Sequence, residues 1–426
     1  RIFASASYRR DASSRFHPDH RWGNFWSVGG AWIINRESWF DAPVLNMFKL
    51  KASIGSQGND QIGDYLYTDL YVVENDGKDE FAISFARKGN PFITWETNTN
   101  INAGIEFGLW NDRLSGSVDY FYRLTSDMLF SVPVTPSNGY SSYWSNIGDM
   151  ANTGIEVVLN GDIIRSKNVV WSLNANLTWI KNKVLDLPES SEDRIVDGHA
   201  GFINGSTFIG EGLPLGTLYI HEWAGVNPET GEGMWWKKDE TTGEWRKTSD
   251  YKNDMSGDVD SRKLMDCTQA KVFGGFGTTL YAYGFDLSVA FDYQLGGKTI
   301  DGTYASYMSS PHVTSLGENY HLDLLNAWTP ENKNSDIPRF QYGDEYNAAS
   351  SSRFLISTNY LNISNISLGY TFPSKWFKGH IQNLRVYAIC DNVWYWSARK
   401  GFDPRGGSVA YYSPIRTITG GVTVTF

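Results

Sequence analysis

The chain has 426 residues with a formal net charge of −10, and it is rich in Gly (42), Trp (17), Tyr (24) and Phe (23). The acidic balance and a pI near 5.3 exclude the concentrated Lys and Arg with which nucleic-acid binders neutralise phosphates. No apolar run reaches the roughly 18 residues of a membrane-crossing helix, but a mean hydropathy of −0.38 leaves membrane-spanning strands open, because only alternate residues of such a strand meet lipid.

The chain opens on Arg1 inside RIFASASY, already strand-like, so a missing N-terminal portion is expected, with any targeting signal either removed or on preceding sequence. Strands are expected near 1–9, 22–34, 47–56, 96–109, 114–129, 147–162, 169–183, 205–211, 217–227, 270–281, 285–296, 353–372, 383–396 and 415–426, about fourteen in all. In NINAGIEFGL, Ile101, Ala103, Ile105, Phe107 and Leu109 share one face while Asn100, Asn102 and Glu106 share the other. WSLNANLTW sets Trp171, Leu173, Leu177 and Trp179 against Asn174 and Asn176. FDLSVAFDYQL sets Phe285, Leu287, Val289 and Phe291 against Asp286, Ser288 and Asp292. The closing TITGGVTVTF puts Ile418, Val422, Val424 and Phe426 together. Each strand has one apolar and one wet face, which a sandwich shares with a barrel.

The connections separate those two folds. WNDR at 110–113, RSKN at 165–168, GLPLG at 212–216 and YAYG at 281–284 are tight, whereas 57–95, 131–145, 185–204, 228–269, 297–352 and 398–413 are long. Alternating short and long connections in an up-and-down sheet put all short turns at one end and all long loops at the other, the asymmetry of transmembrane barrels. Trp22, Trp26, Trp32, Trp95, Trp110, Trp144, Trp171, Trp179, Trp376, Trp394 and Trp396 fall mostly near strand ends, where interfacial girdles sit. The expected fold is therefore an all-β, transmembrane, antiparallel up-and-down β-barrel.

Several segments resemble the barrel of SusC/RagA-type TonB-dependent outer-membrane transporters: SYRRDASSRFHPDHRWGNFWSVGGAW, FKLKASIGSQGNDQIGDY, ETNTNINAGIEFGLWNDRLSGSVDYFY, GEGLPLGTLYIHEWAGVNPETG, AWTPENKNSDIPRF and YLNISNISLGYTFPSKW, with the closing strand. They follow one another in family order over nearly the whole chain. The resemblance implies a barrel of roughly 22 strands, of which residues 1–426 would be the C-terminal portion, with the plug domain and TonB box elsewhere. It also implies active import of an oligomeric glycan or peptide across the bacterial outer membrane, with a SusD-like surface lipoprotein and the TonB complex as partners. A passive porin or a surface-display barrel is the alternative. The resemblance further implies that Phe426, an aromatic closing the last strand, is read by the outer-membrane assembly machinery. The loop DYKNDMSGDVDSRKLMDCTQAKVF departs from the Gly-Asp-Gly-rich acidic run common in the family.

Catalytic and cofactor motifs are not indicated. LGGKT at 295–299 lacks the first glycine of a phosphate loop, since Asp292 stands in its place. Cys267 and Cys390 make no CxxC pair, and His17 and His20 have no third ligand. Asp250, Asp254, Asp258 and Asp260 have part of a calcium-loop spacing, but Lys252 interrupts it, so no cofactor or metal is assigned. The functional candidates are loop aromatics whose flat rings can stack on sugar or peptide: Tyr143, Trp144, Trp235, Trp236 and Trp396, with Tyr140, Tyr395, Tyr411 and Tyr412 beside them. For each, the competing role is loop packing or an interfacial girdle.

Overall fold

The computed structural model describes all residues except 76–80, 189–193, 312–316, 379, 402 and 407–412, so Tyr411 and Tyr412 lie outside the described residues. Twelve strands are hydrogen-bonded neighbours in chain order: Ile2–Ala12, Trp22–Ile33, Leu45–Asn59, Glu96–Leu109, Leu114–Ser126, Asp149–Arg165, Val169–Asp186, Val272–Ala282, Phe285–Leu295, Tyr360–Phe372, Asn383–Ser397 and Thr417–Thr425. The chain divides into two compact units, one of Arg1–Phe202, Gly210–Pro214 and Phe276–Ala282, the other of Ile203–Ile209, Leu215–Gly275 and Tyr283–Phe426.

In the first unit, antiparallel register lines up the apolar side chains of successive strands. Ile2 pairs with Trp32, Trp32 with Leu50, and the row continues through Ile105, Val118 and Val157 to Leu177. One residue along, the opposite face reads Phe3, Ala31, Lys51, Gly104, Asp119, Glu156 and Thr178. A one-residue slip of any strand would exchange these faces, so the alternation itself fixes the register. The polar face carries a charge ladder: Lys49 lies 3.1 Å from Glu106, and Lys51 lies 3.1 Å from Glu106 and 2.9 Å from Asp119. Gly104 stands between Lys51 and Asp119 in the register, and a Cβ there would collide with the Asp119 carboxylate. The turn after Leu109 holds Trp110, Asn111 and Asp112 in left-handed backbone, at φ 53°, 56° and 61°. Asn and Asp tolerate that region well, Trp less so.

In the second unit, Val289, Ile366, Cys390 and Ile418 form an apolar row, and Ser288, Ser367, Ile389 and Thr419 form the adjacent row on the other face. Arg385 spans that second face in a bidentate pair with Asp286, at 3.0 and 2.6 Å. The expected apolar and wet faces of the 96–109, 169–183 and 285–296 segments are thus the two faces of the sheet.

Two of the fourteen expected strands belong elsewhere. Thr207–Gly210 and Thr217–His221 pair with each other, and Thr217–His221 pairs onward with Arg262–Cys267. Each is shorter than the roughly 9–11 residues a strand needs to cross a bilayer. All of Thr217–His221 is buried, with no face left for lipid. Within the second unit, Trp223–Val226, Gly233–Lys238 and Trp245–Thr248 make a further three-stranded sheet.

This facing yields a direct test. Arg at Val289, in the apolar row, is expected to destabilise folding into lipid bilayers by about 2–4 kcal/mol, whereas Arg at Ser288 on the polar face costs little. Refolding titrations of the two variants in vesicles measure the difference.

Candidate functional site

The loop aromatics separate into distinct environments. Trp144 sits on the hairpin Leu129–Pro133 / Ser142–Asn146 and packs against the buried cluster Phe16, Ile62, Leu66 and Ile93. Asn90 Nδ2 donates to the Trp144 carbonyl at 3.0 Å, and Asn146 exchanges hydrogen bonds with the Thr94 backbone at 2.8 and 2.9 Å. These contacts tie three loops of the first unit together. Tyr143 is half-buried on the same strand, edge-on to Tyr140 at 6.4 Å.

Trp235 is only 2 % exposed, its ring 5.2 Å from Trp223 and 4.9 Å from Tyr251. It is the centre of a loop core rather than a ligand-facing surface. Trp236, next in the strand and so on its other face, remains half-buried with the Lys247 ammonium 5.2 Å above its ring. Trp396 pairs with Leu361 on the apolar face of the sheet, on the same side as Trp394 opposite Ile363. It is 52 % exposed and, with Trp394, also lines the cavity described below. Tyr395 pairs with Asn362 on the polar face.

Acidic residues of the 250–260 loop are engaged separately. Asp250 accepts from the Asn253 backbone at 3.1 Å, and Asp254 from Arg246 at 3.0 Å and from Thr248. Asp258 meets Lys237 at 2.7 Å. Burial pushes the Asp258 carboxyl up, but the hydrogen bonds from Lys237 and Ser261 outweigh it and hold the group below the ordinary carboxylate range. His221 is buried with Nε2 2.7 Å from the Asp258 carbonyl, and desolvation pulls its pKa below the ordinary histidine value. Arg353 lies 5.1 Å from the Trp223 ring and 4.7 Å from that of Phe354. Its guanidinium donates to the Asn347 carbonyl at 2.5 Å, and burial pulls its pKa down to about 10.

Sequence reasoning missed one constellation at the loop end of the second unit. A cavity of about 470 Å³ is lined by Asn362, Asn392, Tyr395, Arg399, Asp403, Arg405 and Arg416, among others. A bulge places Asn392 and Val393 opposite the single residue Ser364, and Asn392 takes left-handed backbone at φ 52° inside its strand. Bulges of this kind re-aim side chains beside binding sites. Arg405 braces this bend: it reaches Asn392 Oδ1 at 3.4 Å and is held by Asp403 at 2.7 Å. Arg399 forms a buried pair with Asp301 at 3.5 Å. The one local signal was the DPR triplet at 403–405, whose carboxylate and guanidinium are spaced to pair with each other.

A family model described as TonB dependent receptor-like, beta-barrel, matches residues 1–262. TonB-dependent receptor P3 of Formosa agariphila is 27 % identical over 449 residues, covering 98 % of this chain and 43 % of the relative. TonB-dependent receptor SusC of Bacteroides thetaiotaomicron is 26 % identical, covering 95 % and 40 %. Among solved structures, the RagAB peptide transporter superposes with a TM-score of 0.85 at 29 % identity, over 100 % of this chain and 46 % of that chain. The chain thus spans less than half the length of these relatives.

The depressed pKa of His221 has a pH consequence. Its neutral form is the folded one, so the stability it confers is present above the unfolded value of 6.5 and is lost as pH falls below it toward the lowered folded value. Protection factors of the amides in 217–221 and 262–267, taken against the intrinsic exchange rate at each pH, are expected to fall between about pH 7 and pH 5, and His221→Gln to flatten that dependence. Exchange measured by mass spectrometry across this range checks it.

Proposed function

Because the chain belongs to the TonB-dependent receptor-like β-barrel family, we propose that it forms the C-terminal barrel portion of a TonB-energised importer of an oligomeric nutrient in the bacterial outer membrane. The observation that carries this reading is the two-faced sheet. Uninterrupted apolar rows meet lipid on one side, and a paired Lys–Glu–Asp ladder lines a polar interior on the other. Paired charges on the inner face suit a lumen that holds further protein or a hydrated ligand, and nothing in them resembles a reaction centre. A SusD-like lipoprotein is the proposed outer partner and the TonB complex the inner one, as the sequence resemblance implies.

For substrate contact, Tyr143 and Trp236 are the proposed ligand-facing aromatics. Trp144 and Trp235 hold the loops in place, and Trp396, on the wall of the cavity beside Asn392, stays a third candidate. Uptake of glycan and peptide oligomers is expected to require a functional TonB complex; unchanged uptake without TonB would instead indicate a passive porin. Alanine at Tyr143 and Trp236 together is expected to reduce uptake several-fold at normal surface abundance, each ring contributing about 1 kcal/mol.

Phe426 is proposed as an assembly determinant. The apolar row it would extend contains Val422 opposite Val386 and Val424 opposite Leu384. Deleting Phe426 is expected to lower the amount of protein in the outer membrane while leaving uptake per inserted molecule unchanged, as quantitative blotting with uptake normalised to abundance would show.

A further inference from the structure

The chain holds three Asn–Gly pairs, at 138–139, 160–161 and 204–205. In such a pair the backbone nitrogen of the glycine can attack the side-chain carbonyl carbon of the asparagine, because no Cβ on the glycine obstructs the approach. The fold treats the three pairs differently.

Asn160 and Gly161 lie inside the wall strand Asp149–Arg165, where Gly161 pairs with Leu114 on one side and with Leu173 on the other. Ring closure needs the asparagine backbone to leave the extended range, and a ladder on both sides resists that. Asn204 and Gly205 sit in a pinned turn. The Asn204 carbonyl accepts from Thr207 Oγ1 at 2.8 Å, the Gly205 carbonyl from Arg262 at 2.8 Å, and the Ser206 carbonyl from the Tyr219 N–H at 2.8 Å.

Asn138 and Gly139 have no such restraint. They lie at the tip of the hairpin loop that the Val134 N–H closes by donating to the Ser141 carbonyl at 2.9 Å. Both are exposed, and Asn138 Nδ2 reaches only Thr135 Oγ1, at 3.4 Å. The Gly139 N–H makes no hydrogen bond among the described residues, and a Cβ placed on Gly139, at φ 81°, would meet nothing within 4 Å. The attacking nitrogen is therefore accessible and the backbone around it is free to turn.

We infer that Asn138 is a site of spontaneous deamidation. The Gly139 nitrogen gives up its proton to hydroxide and bonds to Asn138 Cγ, the Cγ–Nδ2 bond breaks, and ammonia leaves behind a five-membered succinimide. Water then opens either ring carbonyl. In sum, an amide and a water become a carboxylate and an ammonium ion, with residue 138 left as aspartate or as its isomer, whose main chain runs through the side-chain carbon. A negative charge thereby enters the loop that carries Tyr140 and Tyr143, whose rings stand 6.4 Å apart.

The test follows the full-length protein in isolated outer membranes at about pH 8 and about pH 6, with peptide mass spectrometry reading the roughly 1 Da gain at each asparagine. Asn138 is expected to convert about tenfold faster than Asn160 or Asn204, because those two react only after local opening. Conversion is expected to be faster at the higher pH, where more of the attacking nitrogen is deprotonated. In the same protein unfolded in urea the three rates are expected to converge. An Asn138 that stays intact in the folded protein overturns the inference, as does conversion of Asn160 or Asn204 at a matching rate. A lead for Asn138 that persists unchanged in urea overturns it too, since flanking sequence and not the fold would then set the rate.

Discussion

The constraint on which the structure depends is that no main-chain N–H or C=O can be left unpaired in hydrocarbon. Each unsatisfied group costs several kcal/mol there, and strands achieve pairing only through their neighbours. Every wall strand therefore has to find partners of comparable length at a register that keeps its apolar side chains outward. The row from Ile2 through Trp32, Leu50, Ile105, Val118 and Val157 to Leu177 is the side-chain record of that requirement. The short segments Thr207–Gly210 and Thr217–His221 cannot meet it, and they are buried in loop structure instead.

The opposite face is governed by a different economy. Lys49, Lys51, Glu106 and Asp119 are placed by the pleat within salt-bridge distance across adjacent strands, and Gly104 leaves the space through which Lys51 reaches Asp119. Such partly exposed pairs contribute modestly to stability. Their larger effect is on register, since a slip would carry these charges into lipid. Arg385 and Asp286 repeat the arrangement in the second unit.

The long loops are organised by aromatic packing more than by strand pairing. Trp235 between Trp223 and Tyr251, and Trp144 against Phe16 and Ile93, give each loop region its own small core. Rings enclosed in this way stiffen the loops and leave neighbours such as Tyr143 and Trp236 half-buried. The Asn392 bulge lies near the loop end of the wall, where Asn362, Asn392 and Arg405 line a cavity.

The alternation of apolar and polar residues by itself determined the wall, because a period of two in NINAGIEFGL or FDLSVAFDYQL assigns each side chain to lipid or lumen before any partner is known. It also determined the order of short turns and long loops, and with them the barrel class. Tertiary structure alone decided which loop aromatics are available. Trp235 and Trp236 are adjacent and chemically identical, and only the packing of Trp223 and Tyr251 makes one core and leaves the other half-buried. Likewise Tyr395 and Trp396 are separated by the pleat of a strand whose phase shifts at the Asn392 bulge, an irregularity that local pattern does not encode. Around the cavity, Asp292 meets Asn362 across 70 residues of chain and Arg405 meets Asn392 across 13. Long-range pairing brings such groups together, and no local periodicity carries that information.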